Sequence, residues 1–181
     1  MKDCEKKRRK RRCHRKKDFL PVYREPLTYA RDNGEIDPYR VSRRENIACK
    51  EAIEKSIADH FDGMRFDPAA AKEVLEEFGK SRTMFVLAVT VNARDWDGRF
   101  SRSNKEWARS FNIQEDRDSF GGDHRLDYAV NSHSTLVDAF ISDTRKEVSR
   151  KPSVLGKLAE NAATVKKTSP KISAKSKEEV R

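Results

Sequence analysis

Apolar residues recur at intervals of three and four over long stretches of this chain, the spacing that places side chains on one face of an α-helix. The longest stretch runs from Pro38 to about His60, and its apolar stripe is Cys49, Ile53, Ile57 and Phe61. Asp37 is the expected N-cap of this helix, with Pro38 as its first residue. A thiol on such a stripe indicates a small buried side chain rather than a nucleophile.

Apolar spacing and helix start and stop signals together predict four more helices. One begins at Asp67-Pro68 and ends at Gly79, where a glycine accommodates the left-handed backbone of a helix end. Another is capped by Ser132 or Ser134 and keeps an apolar face as far as Val148. Two short helices are expected over residues 25–34 and 103–109.

Residues 81–92 form a continuous apolar run with β-branched members, so periodicity alone does not separate a buried helix from a buried strand. We favour a helix, because a dozen residues exceed the usual length of a strand. A turn is expected at 95–98, a surface loop at 114–127, and a short strand or an extended segment at 126–131.

These elements predict a mainly α protein with at most a minor β element. The helices fall within residues 18–148, which we take as one compact domain. Residues 1–17 lack apolar periodicity and are rich in Lys and Arg, and residues 149–181 are rich in Lys, Ser, Ala and Thr with one weakly amphipathic patch at 154–158. Both are expected to be disordered basic tails.

Charge is distributed unevenly between these parts. The whole chain has a formal charge of +10, but residues 1–17 alone contribute +9 and residues 149–181 contribute +6. The predicted domain, residues 18–148, is therefore acidic at −5. The basic character belongs to the tails, and a partner attracted by the net charge would meet the tails first.

Three cysteines without a paired spacing argue against a disulfide scaffold. The N-terminal charge run is not followed by the apolar stretch of a signal peptide, and no segment is long and apolar enough for a membrane span. We therefore expect a cytoplasmic protein with no membrane partner.

The strongest single signal is the basic run Lys6, Lys7, Arg8, Arg9, Lys10, Arg11 and Arg12. Dense cations displace counterions from a phosphate backbone, so this run is a candidate DNA or RNA contact without sequence specificity. Two other interpretations stay open. In a eukaryote the run would be typical of nuclear localisation, and a start codon assigned too far upstream would produce a similar segment.

Residues 95–107 combine two tryptophans, a phenylalanine and three cations. Arg99, Arg102 and Lys105 are candidate nucleic-acid contacts, and Trp96 and Trp107 are candidate partner contacts, because aromatic and cationic side chains stack on bases and anchor interfaces. An alternative is that both tryptophans cover the core, since tryptophan is highly buried on average.

The sequence contains no recognisable catalytic motif. It lacks the Gly-x-Ser-x-Gly motif of a nucleophile elbow, a Gly-rich phosphate-binding loop, and a pair of histidines spaced to bind a metal ion on one helix. No metal or cofactor is expected. The carboxylates of 95–97 and 115–127 leave a magnesium-dependent nuclease as a minor alternative. Within that group, Asp116, Asp118 and Asp123 are instead candidate partner contacts.

Several segments resemble a family defined by a domain of unknown function, common in gut Firmicutes and often carried on mobile elements. The resemblance covers roughly residues 20–148, and the matching segments are Pro21-Val22-Tyr23, Tyr29-Ala30-Arg31, Asn46–Ile53, Phe61–Met64, Asp95–Trp107, and Ser132-His133 with Leu136 and Phe140. Ser134 stands where the family pattern has proline, and the long basic N-terminus is not typical of the family.

The resemblance implies a function, because one protein in this neighbourhood looks like a broad-spectrum inhibitor of type II CRISPR nucleases. On that basis we expect a non-enzymatic accessory protein that binds nucleic acid or a nucleoprotein complex such as Cas9. An acidic domain could occupy a cationic DNA channel while basic tails hold nucleic acid. The alternatives are a general DNA- or RNA-binding protein that acts through its tails, and the nuclease. The oligomeric state is not predicted.

Overall fold

The computed structural model describes residues 19–64, 66–67, 69–94, 98–117 and 120–150. The elements are α1 (Leu27–Asp32), α2 (Ile36–Asp59), α3 (Ala69–Arg94), α4 (Arg102–Arg109), a 3-10 helix (His124–Tyr128) and α5 (Ser134–Ser149). Over these residues the protein is helical and has no sheet, which confirms the predicted fold class. None of the helices described is long and apolar enough to cross a membrane.

The chain divides into two units, residues 1–148 and 149–181. The contacts described below lie in the first unit. Of the second unit, the structure describes residues 149 and 150 alone. The predicted disorder of both tails therefore falls outside the described residues, apart from this pair.

The second half of α3 is the centre of the core. Every residue from Phe85 to Val91 is buried, with exposures of 4% or less. The cluster also includes Cys49, Ile53 and Ile57 from α2 and Val137, Phe140 and Ile141 from α5. A helix buried on all sides needs no polar face, which explains why residues 81–92 lack helical periodicity. The prediction of a helix over this run is confirmed.

Gly79 interrupts α3 with backbone angles of φ 79° and ψ 159°, outside the helical region. The expectation that the first helical stretch ends there is thus confirmed, and a second stretch follows directly after the kink. A Cβ atom at Gly79 would lie 2.8 Å from two ring atoms of Phe19. Glycine is required here both by its positive φ and by the close approach of that ring.

Residues 19–23, which we call the strap, cross this kink and run against α2. Arg82, only 3% exposed, holds the strap by donating to the carbonyl oxygens of Leu20 at 3.0 Å and Pro21 at 3.2 Å. The same guanidinium donates to the carbonyl of Ser42 in α2 at 3.0 Å. Burial lowers the pKa of Arg82. The strap is therefore fixed to both long helices.

Two local predictions are corrected. Asp37 is not the N-cap of α2, because the turn after α1 leads directly into a helix that begins at Ile36, and Asp37 lies in the first turn. There its negative charge still faces the positive end of the helix dipole. Residues 126–131 form no strand, and residues 126–128 belong instead to a 3-10 helix. The extended alternative holds after Tyr128, where the amide of Val130 donates to Thr90 Oγ1 at 3.0 Å.

Candidate anion-binding groove

A tight corner between α1 and α2 brings several arginines together. α1 ends at Asp32, and Gly34 takes a φ of 72° that turns the chain back, so that the amide of Glu35 donates to the carbonyl of Ala30 at 2.7 Å. Arg31 in the last turn of α1 thereby lies beside the first turns of α2. Tyr23 braces the corner, since its hydroxyl donates to Glu35 Oε2 at 2.7 Å.

An open groove of about 690 Å³ lies at this corner, between α1, the first turns of α2 and the 3-10 helix. Its lining contains four arginines and one histidine: Arg31, Arg40, Arg43, Arg44 and His124. Arg40, Arg43 and Arg44 belong to α2. Within this lining, Asp37 is the one acidic residue. Its carboxylate lies 4.0 Å from Arg40 and both side chains are largely exposed, so this ion pair neutralises little of the positive charge.

The groove also has an apolar part. Leu27, Ile36 and Val41 line it together with the ring of Tyr39. The groove thus combines apolar surface with four arginine side chains. Its volume lies within the roughly 300–1,000 Å³ of small-molecule sites in proteins.

Asp116 joins the two helical walls of the groove. Its Oδ1 accepts from the amide of Leu27, the first residue of α1, at 2.8 Å, and its Oδ2 accepts from the hydroxyl of Tyr39 in α2 at 2.7 Å. Asp116 is only 6% exposed. Burial and the bond to Asp116 raise the pKa of Tyr39, so its hydroxyl stays a proton donor. Asp116 therefore fixes where α1 begins relative to α2.

The 3-10 helix forms the third wall of the groove, and it is attached to Asp116 and to α2. The amide of His124 donates to the carbonyl of Asp116 at 2.9 Å, and Arg43 forms a short ion pair with Asp127. The hydrogen bond to Asp127 raises the pKa of Arg43. Among the described residues, Arg43 Nε and His124 Nε2 are buried atoms without a hydrogen-bond partner. An unsatisfied buried polar atom costs about 1–3 kcal/mol, and sites that bind ligands tolerate that cost.

The loop of residues 114–127 differs from its prediction as a solvated surface loop, since Asp116 is buried within it. Asp123 is also held internally: its carboxylate accepts from Arg125 Nε at 2.8 Å and from the amide of Arg125 at 3.0 Å. Although burial alone would raise it, these bonds leave the pKa of Asp123 below its usual value. Two of the three carboxylates expected to contact a partner thus have structural roles, and Asp118 lies outside the described residues.

The aromatic and basic segment is placed elsewhere, around α4. Arg99 and Arg102 are exposed, and Arg102 Nε pairs with Glu106 at 2.9 Å. Lys105 is partly buried, and none of these three cations lines the groove. Trp96 and the basic run Lys6–Arg12 lie outside the described residues.

Trp107 packs against the core, as the alternative interpretation expected. Its ring meets Phe111 edge-on at 5.0 Å, and the guanidinium of Arg145 lies 5.6 Å from the ring centroid. Beside it, Asn104 is 1% exposed and donates to the carbonyl of Asp138 at 3.0 Å. These contacts fix α4 on α5.

The nuclease alternative gains no support from the described carboxylates. No three His, Cys, Asp or Glu side chains in that part of the chain are placed to hold a metal ion. Asp116, Asp123 and Asp127 are each engaged in the internal bonds given above. Cys49 is fully buried, and burial raises the pKa of its thiol to about 12, so it is not a nucleophile.

The groove arginines were not singled out by the sequence, although a signal was present. Arg40 and Arg44 are four residues apart on a predicted helix, with Arg43 between them, so all three lie on neighbouring positions of one face. The fourth, Arg31, joins them only through the corner at Gly34. That step depends on tertiary structure, which spacing does not give.

Two comparisons with known proteins found nothing: no curated protein and no solved structure matches the chain. One family model does match, described as a protein of unknown function (DUF3849), and it covers residues 22–149. The match spans α1 to α5, including the whole groove. The chain belongs to the DUF3849 family.

Proposed function

We propose that this protein is a non-enzymatic nucleic-acid-binding protein, and that the groove at the α1–α2 corner is its structured contact. The supporting observation is the clustering of Arg31, Arg40, Arg43 and Arg44 around one concavity of a domain whose total charge is negative. Exposed arginines that converge on one open site favour a polyanion, because the guanidinium fork matches phosphate oxygens.

The N-terminal basic tail is a second proposed contact with nucleic acid, and it is less specific than the groove. Tyr23, at the end of the strap, packs edge-on against Tyr39 with ring centroids 6.0 Å apart, and Tyr39 lines the groove. Residues 1–17 precede the strap in the sequence and carry a charge of +9. A tethered cationic segment raises the local concentration of any nucleic acid that the groove binds.

Fluorescence anisotropy with a labelled 20-nucleotide strand tests the proposal, with the full chain titrated at several salt concentrations. The groove variant replaces three exposed arginines with glutamine: Arg31, Arg40 and Arg44. Arg43 is kept because of its ion pair with Asp127. Removing three phosphate contacts should lower the affinity and reduce the slope of log K against log salt by about two units for a single strand.

The matched control removes the same number of exposed cations from other surfaces: Lys55, Lys72 and Lys80, each replaced with glutamine. This variant has the same net charge as the groove variant and should bind nearly as the natural chain does. Equal losses in both variants would refute a groove-specific contact. A third variant, with serine at Lys6–Arg12, should weaken binding to any polyanion and measures the contribution of the tail.

A narrower form of the proposal is that the bound nucleic acid belongs to a Cas9 complex and that binding inhibits it. The motif resemblance described above supports this form. Target cleavage by Cas9 should then fall with rising concentration of the full chain, and the groove variant should inhibit less than the lysine control. Complete cleavage of the target at a saturating concentration of the protein would refute the inhibitor function. General nucleic-acid binding would then remain as the proposal.

A further inference from the structure

We infer that the groove takes a segment of single-stranded nucleic acid, with phosphates on its arginines and a base on its apolar part, and that it does not take a duplex. This inference rests on the proposed function, since it names which form of nucleic acid the same site accepts. It is carried by the shape of the groove and by the chemistry of its lining.

The concave shape of the groove favours a single strand over a duplex. The groove is a recess of about 690 Å³, a size suited to ligands of a few rings and phosphates. A duplex presents a convex outer surface of phosphates and keeps its bases stacked inside. A single strand offers unstacked bases that enter recesses, which is how most sequence-tolerant strand-binding sites work.

The lining has both components that a nucleotide needs. Ile36 and Leu27 provide partly buried apolar surface beside the cations. A site for phosphate alone gains nothing from apolar walls, whereas the face of a base is apolar and packs on aliphatic, aromatic and guanidinium surfaces. Arg40 and Arg44, both exposed, are free to contact the flanking phosphates or to lie against the base.

Two side chains in the wall of the groove are candidate hydrogen-bond partners for the polar edge of a base. Arg43 Nε and His124 Nε2, the buried unpartnered atoms, belong to side chains that line the groove. A guanidinium Nε–H is a donor, and an imidazole nitrogen is a donor or an acceptor according to its tautomer.

The test compares a labelled dT20 strand with a labelled 20-base-pair duplex, both titrated with the full chain at 0.15 M salt. Ile36→Asn changes the apolar part without changing charge, and asparagine is tolerated at the start of a helix. Met64→Asn, at a residue 91% exposed and outside the groove, is its control. Unfolding in urea establishes that both variants are folded.

We expect dT20 to bind at least about tenfold more tightly than the duplex, and Ile36→Asn to weaken dT20 binding about tenfold while leaving duplex binding unchanged. Met64→Asn should change neither. If Ile36→Asn is unstable, the triple arginine variant replaces it and should abolish the preference for the strand.

Equal affinity for strand and duplex would overturn the inference while leaving nucleic-acid binding intact. An Ile36→Asn variant that is folded and binds dT20 as the natural chain does would also overturn it. If neither probe binds, or if the variant with glutamine at Arg31, Arg40 and Arg44 binds both probes as the natural chain does, the proposed function itself fails. The two failures are therefore distinguishable.

Discussion

Replacing Asp116 with alanine should destabilise the protein far more than a change in a surface loop would. The carboxylate accepts from the Leu27 amide at 2.8 Å and from the Tyr39 hydroxyl at 2.7 Å, and it is 6% exposed. Alanine leaves both donors without their acceptor. Tyr39 is 8% exposed, so water does not readily replace the lost bond at its hydroxyl.

The magnitude follows from the cost of an unsatisfied buried donor, about 1–3 kcal/mol. The cost of leaving the Tyr39 hydroxyl unsatisfied lies in the middle of that range. The cost for the Leu27 amide, which is only partly buried, lies at its lower end. The two together predict a loss of about 3 kcal/mol in the free energy of unfolding. Asp116→Asn retains one acceptor oxygen and should lose about half as much.

Urea unfolding of the full chain, followed by circular dichroism, measures these losses. Glu115→Ala is the matched control, because Glu115 is the neighbouring carboxylate and pairs only at the surface with Arg117 at 3.1 Å; it should cost less than about 0.5 kcal/mol. Tyr39→Phe should cost about 1 kcal/mol in the natural chain but should restore part of the lost stability in Asp116→Ala, because it removes the donor that has no acceptor there. Additive losses, or a loss at Asp116 no larger than the control, would refute the proposed bracing.

Three further outcomes follow from the contacts described. Gly79→Ala should cost at least about 2 kcal/mol, because it adds positive-φ strain to a clash with the Phe19 ring; an unchanged urea midpoint would contradict this. With the two other cysteines replaced by serine, Cys49 should react with a thiol reagent at pH 8 only after unfolding; fast labelling of the folded chain would show that it is accessible. The folded pKa of Asp123 is depressed by Arg125, so its stabilisation is present above about pH 4 and is lost as the pH falls further. Asp123→Asn should therefore be less stable at pH 7 and show a shallower loss of stability below pH 4, and parallel profiles for the two chains would disprove that linkage.

Sequence patterns predicted the helices because each rests on local information. The stripe of Cys49, Ile53 and Ile57 marks a face, and Asp67 and Gly79 mark where a helix starts and stops. The run from Phe85 to Val91 carried no such periodicity, and only its length favoured a helix. Its burial on every side explains the missing pattern.

The candidate site was harder to predict, because burial reverses the role of a residue without changing its type. Asp116 belongs to a stretch so rich in Asp, Glu and Gly that it reads as a solvated loop, yet it binds the start of α1 and the ring hydroxyl of Tyr39. A carboxylate in such a stretch is expected to face solvent, and spacing contains nothing that indicates an acceptor for an amide 89 residues away in sequence. The arginines were missed for the opposite reason: each is an ordinary exposed residue, and only the corner at Gly34 makes them one group.

The acidic total of the domain and its basic groove are compatible, because charge acts locally in salt. At physiological ionic strength the screening length is about 8 Å, so a phosphate in the groove responds to Arg31, Arg40, Arg43 and Arg44 far more than to carboxylates on distant surfaces. If the groove binds nucleic acid as proposed, carboxylates farther away than this length oppose that binding only weakly. On this argument, neutralising acidic residues far from the groove should increase nonspecific binding and leave specific affinity almost unchanged. If the proposed function holds, Asp116, Asp123 and Asp127 contribute to it indirectly, because their carboxylates are bonded internally and hold the walls of the groove in place.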